Sequence, residues 1–358
     1  AEAEAEEKAQ AGTRQQEGPG VGEGVGDGLS LLWKKDLKSP SFGSAAVADA
    51  DGDGKLEIAF GTYFNDDSVH VLNAEDGSEL WSKDFGTACL DASMRFFDFD
   101  SSGDLELLVP ISNQGKIISF DADSGHENWS YQPDPVECTD SPSCIMDIDD
   151  DGTIEFVYGT FHGNLHVVDG TTGKKKRIYK ISDEFIQTGP TVIDLNGDGT
   201  KDLVCGVMKG SNNIYATDGD TGKRLWEFRI PGEHMGVYHG CSVGDLDSDA
   251  QPELVISAYD GKVYCLDAAS GKQKWVADPP DSYFMSTVVI ADVDNDGQMR
   301  VISAGSHVSM IDHEGNILWS KPCGAGGYDT AARGASLADL NGDFTLDIVT
   351  LSGAGTFQ

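Results

Sequence analysis

One nine-residue pattern recurs along this chain at a spacing that leaves few folds open to it. It reads most plainly as Asp49-Ala-Asp51-Gly-Asp53-Gly54-Lys-Leu-Glu57, with carboxylates at positions 1, 3, 5 and 9 and glycine at position 6. So many anions sit together only if a cation holds them. Calcium fits the set: it is a hard ion that takes about six to eight oxygens, and a tight loop of alternating side chains plus one backbone carbonyl delivers most of that shell. Gly54 lets the chain turn sharply with positive φ. The pattern begins again at Asp98 (with Asp100, Ser102 and Glu106), Asp147 (Asp149, Asp151, Glu155), Asp194 (Asn196, Asp198, Asp202), Asp245 (Asp247, Asp249, Glu253), Asp292 (Asp294, Asp296) and Asp339 (Asn341, Asp343, Asp347), seven copies in steps of 47 to 51 residues. That period matches one four-stranded propeller blade. No amphipathic helix flanks the loops, which excludes an EF-hand. β-rich runs such as Leu56-Glu-Ile-Ala-Phe-Gly61 follow them instead, so each loop joins two strands.

A second periodic feature sits later in each repeat, where a turn leads into a tryptophan: Trp81, Trp129, Trp226, Trp275 and Trp319, with Arg177 in that place in the third copy. A large ring at one fixed position is packing between blades rather than a functional aromatic. Trp33 precedes the first repeat, while the seventh stops at Phe357-Gln358 before a Trp strand of its own. The expected fold is therefore all-β, a seven-bladed β-propeller over residues 29–358 in which an N-terminal strand bearing Trp33 closes the last blade and removes an open sheet edge. The first blade is expected to use strands near 43–49, 56–63, 69–74 and 79–85.

Composition agrees with one closed array. Hydrophobic content of 39% is enough for a core, and 44 glycines suit a turn-rich protein. A formal charge of −36 excludes nucleic acid as a partner. Of the 61 acidic residues, 24 are loop ligands, so calcium would discharge much of that charge. No run of eighteen apolar residues exists to span a membrane. Residues 1–28, rich in Ala, Glu, Gln and Gly, are expected to be disordered. Their opening Ala1-Glu-Ala-Glu-Ala-Glu6 resembles the spacer left by a yeast mating-factor secretion leader, with a native acidic tail as the alternative. The seven cysteines contain no Cys-x-x-Cys pair. In an oxidising compartment Cys138 and Cys144 could staple one loop, while Cys205 and Cys265 read as small buried hydrophobes. Asn128-Trp-Ser130 is a glycosylation sequon, and Lys174-Lys-Lys-Arg177 reads as a solvated basic run.

The acidic loop between first and second strands, at a period of about 48, resembles the FG-GAP and VCBS repeats of integrin α-subunit propellers and related secreted proteins. Ala216-Thr-Asp218-Gly-Asp220-Thr221-Gly222-Lys223-Arg-Leu-Trp226 looks like the Trp-docking motif of PQQ-type propellers, and Asp267 to Trp275 is a second match. The resemblance implies calcium in up to seven loops on one face and ligands on the other. Departures bear on the metal: Arg300 replaces the ninth-position carboxylate, leaving the sixth site either empty or bridged by its guanidinium. Ser102 is a weak ligand in the second loop, and Ala250 and Phe344 stand where position 6 calls for glycine.

The face opposite the acidic loops would be built from the loops between second and third strands and between blades. These hold Tyr63, Asn65, His162, Asn164, His234, Tyr238, His239, Tyr259, Tyr283 and Arg333, a set of aromatic, amide and basic side chains suited to a sugar or an extended peptide. The expected function is a secreted, calcium-stabilised binding module for a glycan or an extracellular protein, in an adhesion, matrix or lectin-like role. The alternative is a polysaccharide lyase, with Tyr238, His239 and Arg333 as its only candidate cluster; the acidic surface, short of basic side chains to hold a polyanion, favours binding. A quinoprotein dehydrogenase is poorer still, lacking the adjacent cysteine pair of such enzymes. No nucleophile elbow, P-loop or His-Glu-x-x-His motif occurs.

Overall fold

The computed structural model describes residues 32–37, 39, 41, 43–63, 65–232, 236–323 and 332–352. The acidic segment over residues 1–28 and His234 lie outside the described residues. Residues 37–358 form one compact unit and residues 1–36 another.

The first repeat folds into an antiparallel meander of β1 (Ala46–Ala48), β2 (Glu57–Gly61), β3 (Ser68–Asn73) and β4 (Glu79–Asp84), within one residue of the spans expected from its sequence. The next five repeats build four-stranded sheets of the same order, and the seventh shows two strands, Ala332–Ala338 and Asp347–Ser352, among the described residues. The chain is a β-propeller. Apart from one 3-10 turn at Ser112–Gln114, the regular elements among the described residues are all strands.

Burial explains the position of each strand. Second strands such as Glu155–Gly159 and Glu253–Ser257 are buried along their whole length, as strands covered on both faces must be. Fourth strands such as Glu79–Asp84 alternate and face outward. First strands of the six four-stranded sheets are only three residues long. They surround a central cavity of about 350 Å³ to which all seven repeats contribute, through Ser44, Ser93, Ser143, Thr191, Cys241, Thr287 and Ala335 among others, with Arg95 and His239 also in its wall. Six buried clusters join each sheet to the next, from the first to the seventh; Val69, Leu90 and Leu107 stand in one and Val255, Phe284 and Val301 in another.

The tryptophans dock between sheets as their spacing implies. The indole Nε1 of Trp81, Trp129, Trp226 and Trp275 donates to the carbonyl just beyond the next sheet's third strand, on Ala122, Gly170, Ala268 and His313, at 2.7–3.0 Å. Arg177 makes the equivalent bond to Gly219 O at 2.6 Å. In each of the six four-stranded sheets the third and fourth strands slip register by one residue immediately beside this position, for example between Val71, which faces Trp81, and Leu72, which faces Glu79. The β-bulge twists the strand end and re-aims the side chains around it.

Two expectations are corrected. Residues 32–37, expected to supply the closing strand, carry no strand. The disulfide is also not formed. All seven cysteines are free thiols, and Cys138 instead donates to Asn113 O while Cys144 lies in a first strand opposite Val157. Cys205 and Cys265 are buried, as expected.

Candidate metal centres and the opposite loop face

The seven acidic loops share one scaffold. In every loop the position-1 aspartate accepts the amide of position 6 at 2.8–3.0 Å, from Gly54 on Asp49 to Phe344 on Asp339. In the six loops that end in a carboxylate, the ninth residue reaches back to the amide of position 2 at 2.7–3.0 Å. Each of these carboxylates thus spends one oxygen on the backbone, and in all of them but Asp202 the second oxygen takes no backbone amide. Ala250 and Phe344 keep the turn despite their Cβ atoms, at φ 67° and 69°, in the left-handed region that glycine occupies in the other five loops.

The loops diverge in what meets the second oxygen. In loop 1, Asp49, Asp51 and Asp53 each offer an oxygen, and all three lie within 4.8 Å of one another. Glu57 is fully buried, and its Oε1 and Asp49 Oδ1 have no hydrogen-bond partner. Burial raises the Glu57 pKa, with the neighbouring aspartates adding to it against the amide of Ala50. A buried carboxylate oxygen without a partner costs on the order of 1–3 kcal/mol, so this loop fits a cation. Loops 3 and 5 gather equivalent sets, Asp147, Asp149 and Glu155, and Asp245, Asp247 and Glu253, each with oxygens within 4.8 Å of one another, and there a lysine supplies the charge. Lys176 Nζ lies 3.1, 2.7 and 2.7 Å from Asp149, Asp151 and Glu155, and Lys274 Nζ lies 2.8 and 2.6 Å from Asp247 and Glu253. Burial alone would lower both lysine pKa values, but the hydrogen bonds to these carboxylates outweigh it and raise them. The basic run at residues 174–177 is therefore not merely solvated: Lys176 is committed to loop 3 and Arg177 to the interblade dock. In loop 6 the Arg300 guanidinium bridges to Asp296 at 2.9 Å. In loop 4 both oxygens of Asp202 accept backbone amides, from Leu195 and Gly219. In loop 1 the exposed Lys55 pairs with Asp53 at 3.3 Å and does not reach Glu57, and among the described residues no lysine or arginine pairs with the acids of loops 2, 4 and 7.

In an antiparallel meander, loops joining first to second strands share an end with those joining third to fourth; the remaining loops lie at the other end. At that other end the structure brings together part of the expected ligand set. Tyr238 and His239 meet with ring centroids 5.0 Å apart, Tyr238 lies 6.2 Å from Tyr259, and Tyr259 stacks on Tyr283 at 5.5 Å. This row crosses three successive loops. Phe161 stacks on Phe185 at 4.8 Å, with Lys209 over the Phe185 ring. Other nominated residues do not join the row. Asn164 gives its amide to buried Glu137 at 2.9 Å, Tyr63 bridges to Cys89, His162 and Asn65 are exposed on separate loops, and the Arg333 side chain lies outside the described residues.

Two groups on this side went unnoticed in the sequence. Glu137, buried, accepts from Thr160 and Asn164 and pairs with His166 Nε2 at 3.2 Å, while His166 Nδ1 contacts the Tyr131 hydroxyl at 2.9 Å. Asp140, beside Asp91, accepts from Gln187 at 3.1 Å. Their loops share no motif from repeat to repeat, so periodicity carried no signal. Lys176 and Lys274 did leave one: the residue before the Trp position is Leu80, Asn128, Leu225 or Leu318 elsewhere.

Comparison with known proteins agrees with this architecture. A PQQ-type repeat model, described as outer membrane protein assembly factor BamB, matches residues 27–207, half of the chain. The chain belongs to this PQQ-repeat family. An FG-GAP-like repeat model matches residues 194–256, which hold the fourth and fifth acidic loops. Among solved structures, BamB from Moraxella catarrhalis superposes with a TM-score of 0.63 at 17% identity, covering 92% of this chain and 85% of that one. A europium-containing methanol dehydrogenase gives 0.64 at 13%, covering 86% and 72%. BBS1N, solved in complex with ARL6DN, gives 0.58 at 10%, covering 89% and 91%. No curated protein matches the chain. At these identities the structural likenesses speak for the fold, and the family match places the chain among PQQ-repeat propellers.

Proposed function

We propose that this PQQ-repeat propeller is a calcium-stabilised binding module, with metals on one face locking the blades and a ligand held on the other. In loop 1, Asp49, Asp51, Asp53 and Glu57 would hold the ion, which would satisfy the buried Glu57 oxygen and offset repulsion among the aspartates. An extracellular setting suits such loops, because modules there meet calcium at roughly millimolar concentration. The observation that carries the binding role is the row of Tyr238, Tyr259 and Tyr283 at the end away from the metals. Rigid aromatic rings give large contact area at small entropy cost, and they accept either a pyranose face or a peptide side chain. A protein ligand is favoured: the matching family is described as an assembly factor for outer membrane proteins, and the BBS1N propeller was solved in complex with another protein. The reading is tested by glycan-array binding and by capture of protein partners with wild type and Tyr259→Ala. Loss of binding in Tyr259→Ala by about tenfold or more, with melting unchanged, supports it. Undiminished binding in that variant puts the ligand elsewhere.

A further inference from the structure

The fourth strand of each complete sheet carries one bulged residue that pairs with nothing across the ladder, between the Trp position and the next register pair. In four sheets it is Leu80, Asn128, Leu225 or Leu318; in the third and fifth it is Lys176 and Lys274. The loop joining third to fourth strands lies at the same end as the acidic loop, so the bulge aims this side chain across the top of its own sheet. The reach is short enough that Lys176 Nζ meets Glu155 Oε1 at 2.7 Å and Lys274 Nζ meets Glu253 Oε1 at 2.6 Å. The equivalent atom in loop 1 is Glu57 Oε1, buried and without a partner. The same oxygen on the same scaffold is thus met by an ammonium in two loops and left open in another, and the ammonium marks where a cation sits.

We propose that Lys176 and Lys274 are the built-in cations of the third and fifth loops, so that these loops take no metal and calcium is confined to loops whose ninth position is a carboxylate that no basic side chain meets; exposed Lys55 in loop 1 pairs with Asp53 at 3.3 Å and leaves Glu57 Oε1 open. This rests on the calcium reading given above and narrows it from seven sites. A calcium ion lies about 2.3–2.6 Å from its oxygens, so it cannot share the ninth-position carboxylate with an ammonium already in hydrogen-bonding contact. The lysine is tethered in the same sheet, so it is present at high effective concentration whatever the free calcium. With Arg300 at the ninth position of loop 6, three of the seven loops have a basic side chain at the ninth-position site itself. Blades 3 and 5 then hold their shape when calcium falls, while blades 1 and 2 loosen first.

Counting ions by native mass spectrometry at saturating calcium chloride tests this directly. Wild type is expected to bind four ions or fewer, Lys176→Met and Lys274→Met one more each, and Asp149→Asn in the wild-type background none fewer. In chelator, Lys274→Met is expected to melt several degrees below wild type and to recover when calcium is returned. An ion lost from Asp149→Asn, or no ion gained by either lysine variant, overturns the proposal while leaving calcium binding elsewhere intact. Wild type binding no ion while Lys274→Met binds one sustains the lysine assignment and defeats the calcium reading; no ion in any variant defeats both. The two loops are independent, so a failure of Lys176→Met to fold leaves the test with Lys274→Met.

Discussion

Glu137 and His166 form a buried hydrogen-bonded pair whose titration makes stability depend on pH. Burial alone would raise the Glu137 pKa, but bonds from Thr160, Asn164 and His166 outweigh it and hold the carboxyl below its usual range. Burial depresses His166 against the pull of Glu137. Both groups bind a proton more readily in the unfolded chain. Their contribution to stability is present at neutral pH and is lost as the pH falls below about 6.5 for the histidine and about 4.3 for the glutamate. Asp140 has the opposite sign. Burial, and then the charge of Asp91, push it up to about 6, so the folded state takes up a proton that the unfolded chain releases. That contribution is present at low pH and disappears as the pH rises through 6. Melting curves between pH 7 and 5 at saturating calcium separate the two: His166→Gln should flatten the acid loss, and Asp140→Asn should stabilise at pH 7 by up to about 2 kcal/mol. An Asp140→Asn protein that melts like wild type at every pH would contradict this account. None of these residues was legible in the sequence, because each depends on which interblade loops fold against one another and those loops share no repeat. Asp49, Asp51 and Asp53 were legible because one pattern written seven times averages out local noise.

At the scale of the element, the tryptophan dock explains why each turn needs glycine. A Cβ on Gly271 would lie 2.5 Å from the Trp226 ring, and the backbone there already has φ +67°; Gly173 meets Trp129 in the same way. Gly297, in the sixth acidic loop, has φ +83° with nothing within 4 Å. The contrast gives a paired prediction. Gly271→Ala should cost about 3 kcal/mol, the sum of left-handed strain and a ring that must move, whereas Gly297→Ala should cost only about 1 kcal/mol. Urea unfolding measures both, and equal losses would mean that the ring contact contributes nothing. The dock itself is readable from fixed spacing, which puts Arg177 at a Trp position, and Arg177 bonds Gly219 O as the indoles bond their own carbonyls. The bulge beside it was not readable, because a one-residue slip leaves no mark on a hydrophobic pattern. That is why Lys176 looked like part of a solvated run.

Across the whole molecule, chemistry is divided between two ends of one ring of sheets. One end carries the acidic loops, and the other carries Tyr238, Tyr259 and Tyr283 with their neighbours. Each sheet from the first to the sixth packs on the next through a shared buried cluster, so a cation that stiffens a loop at the first end would restrict the loops at the second. Calcium at a hundredfold excess over its Kd would add about 2.7 kcal/mol per occupied loop. Thermal unfolding of the wild-type protein in chelator and in millimolar calcium tests the central claim most directly. The melting temperature should fall by roughly ten degrees or more in chelator and return on adding calcium. Identical melting in the two solutions would mean that no metal holds these blades together.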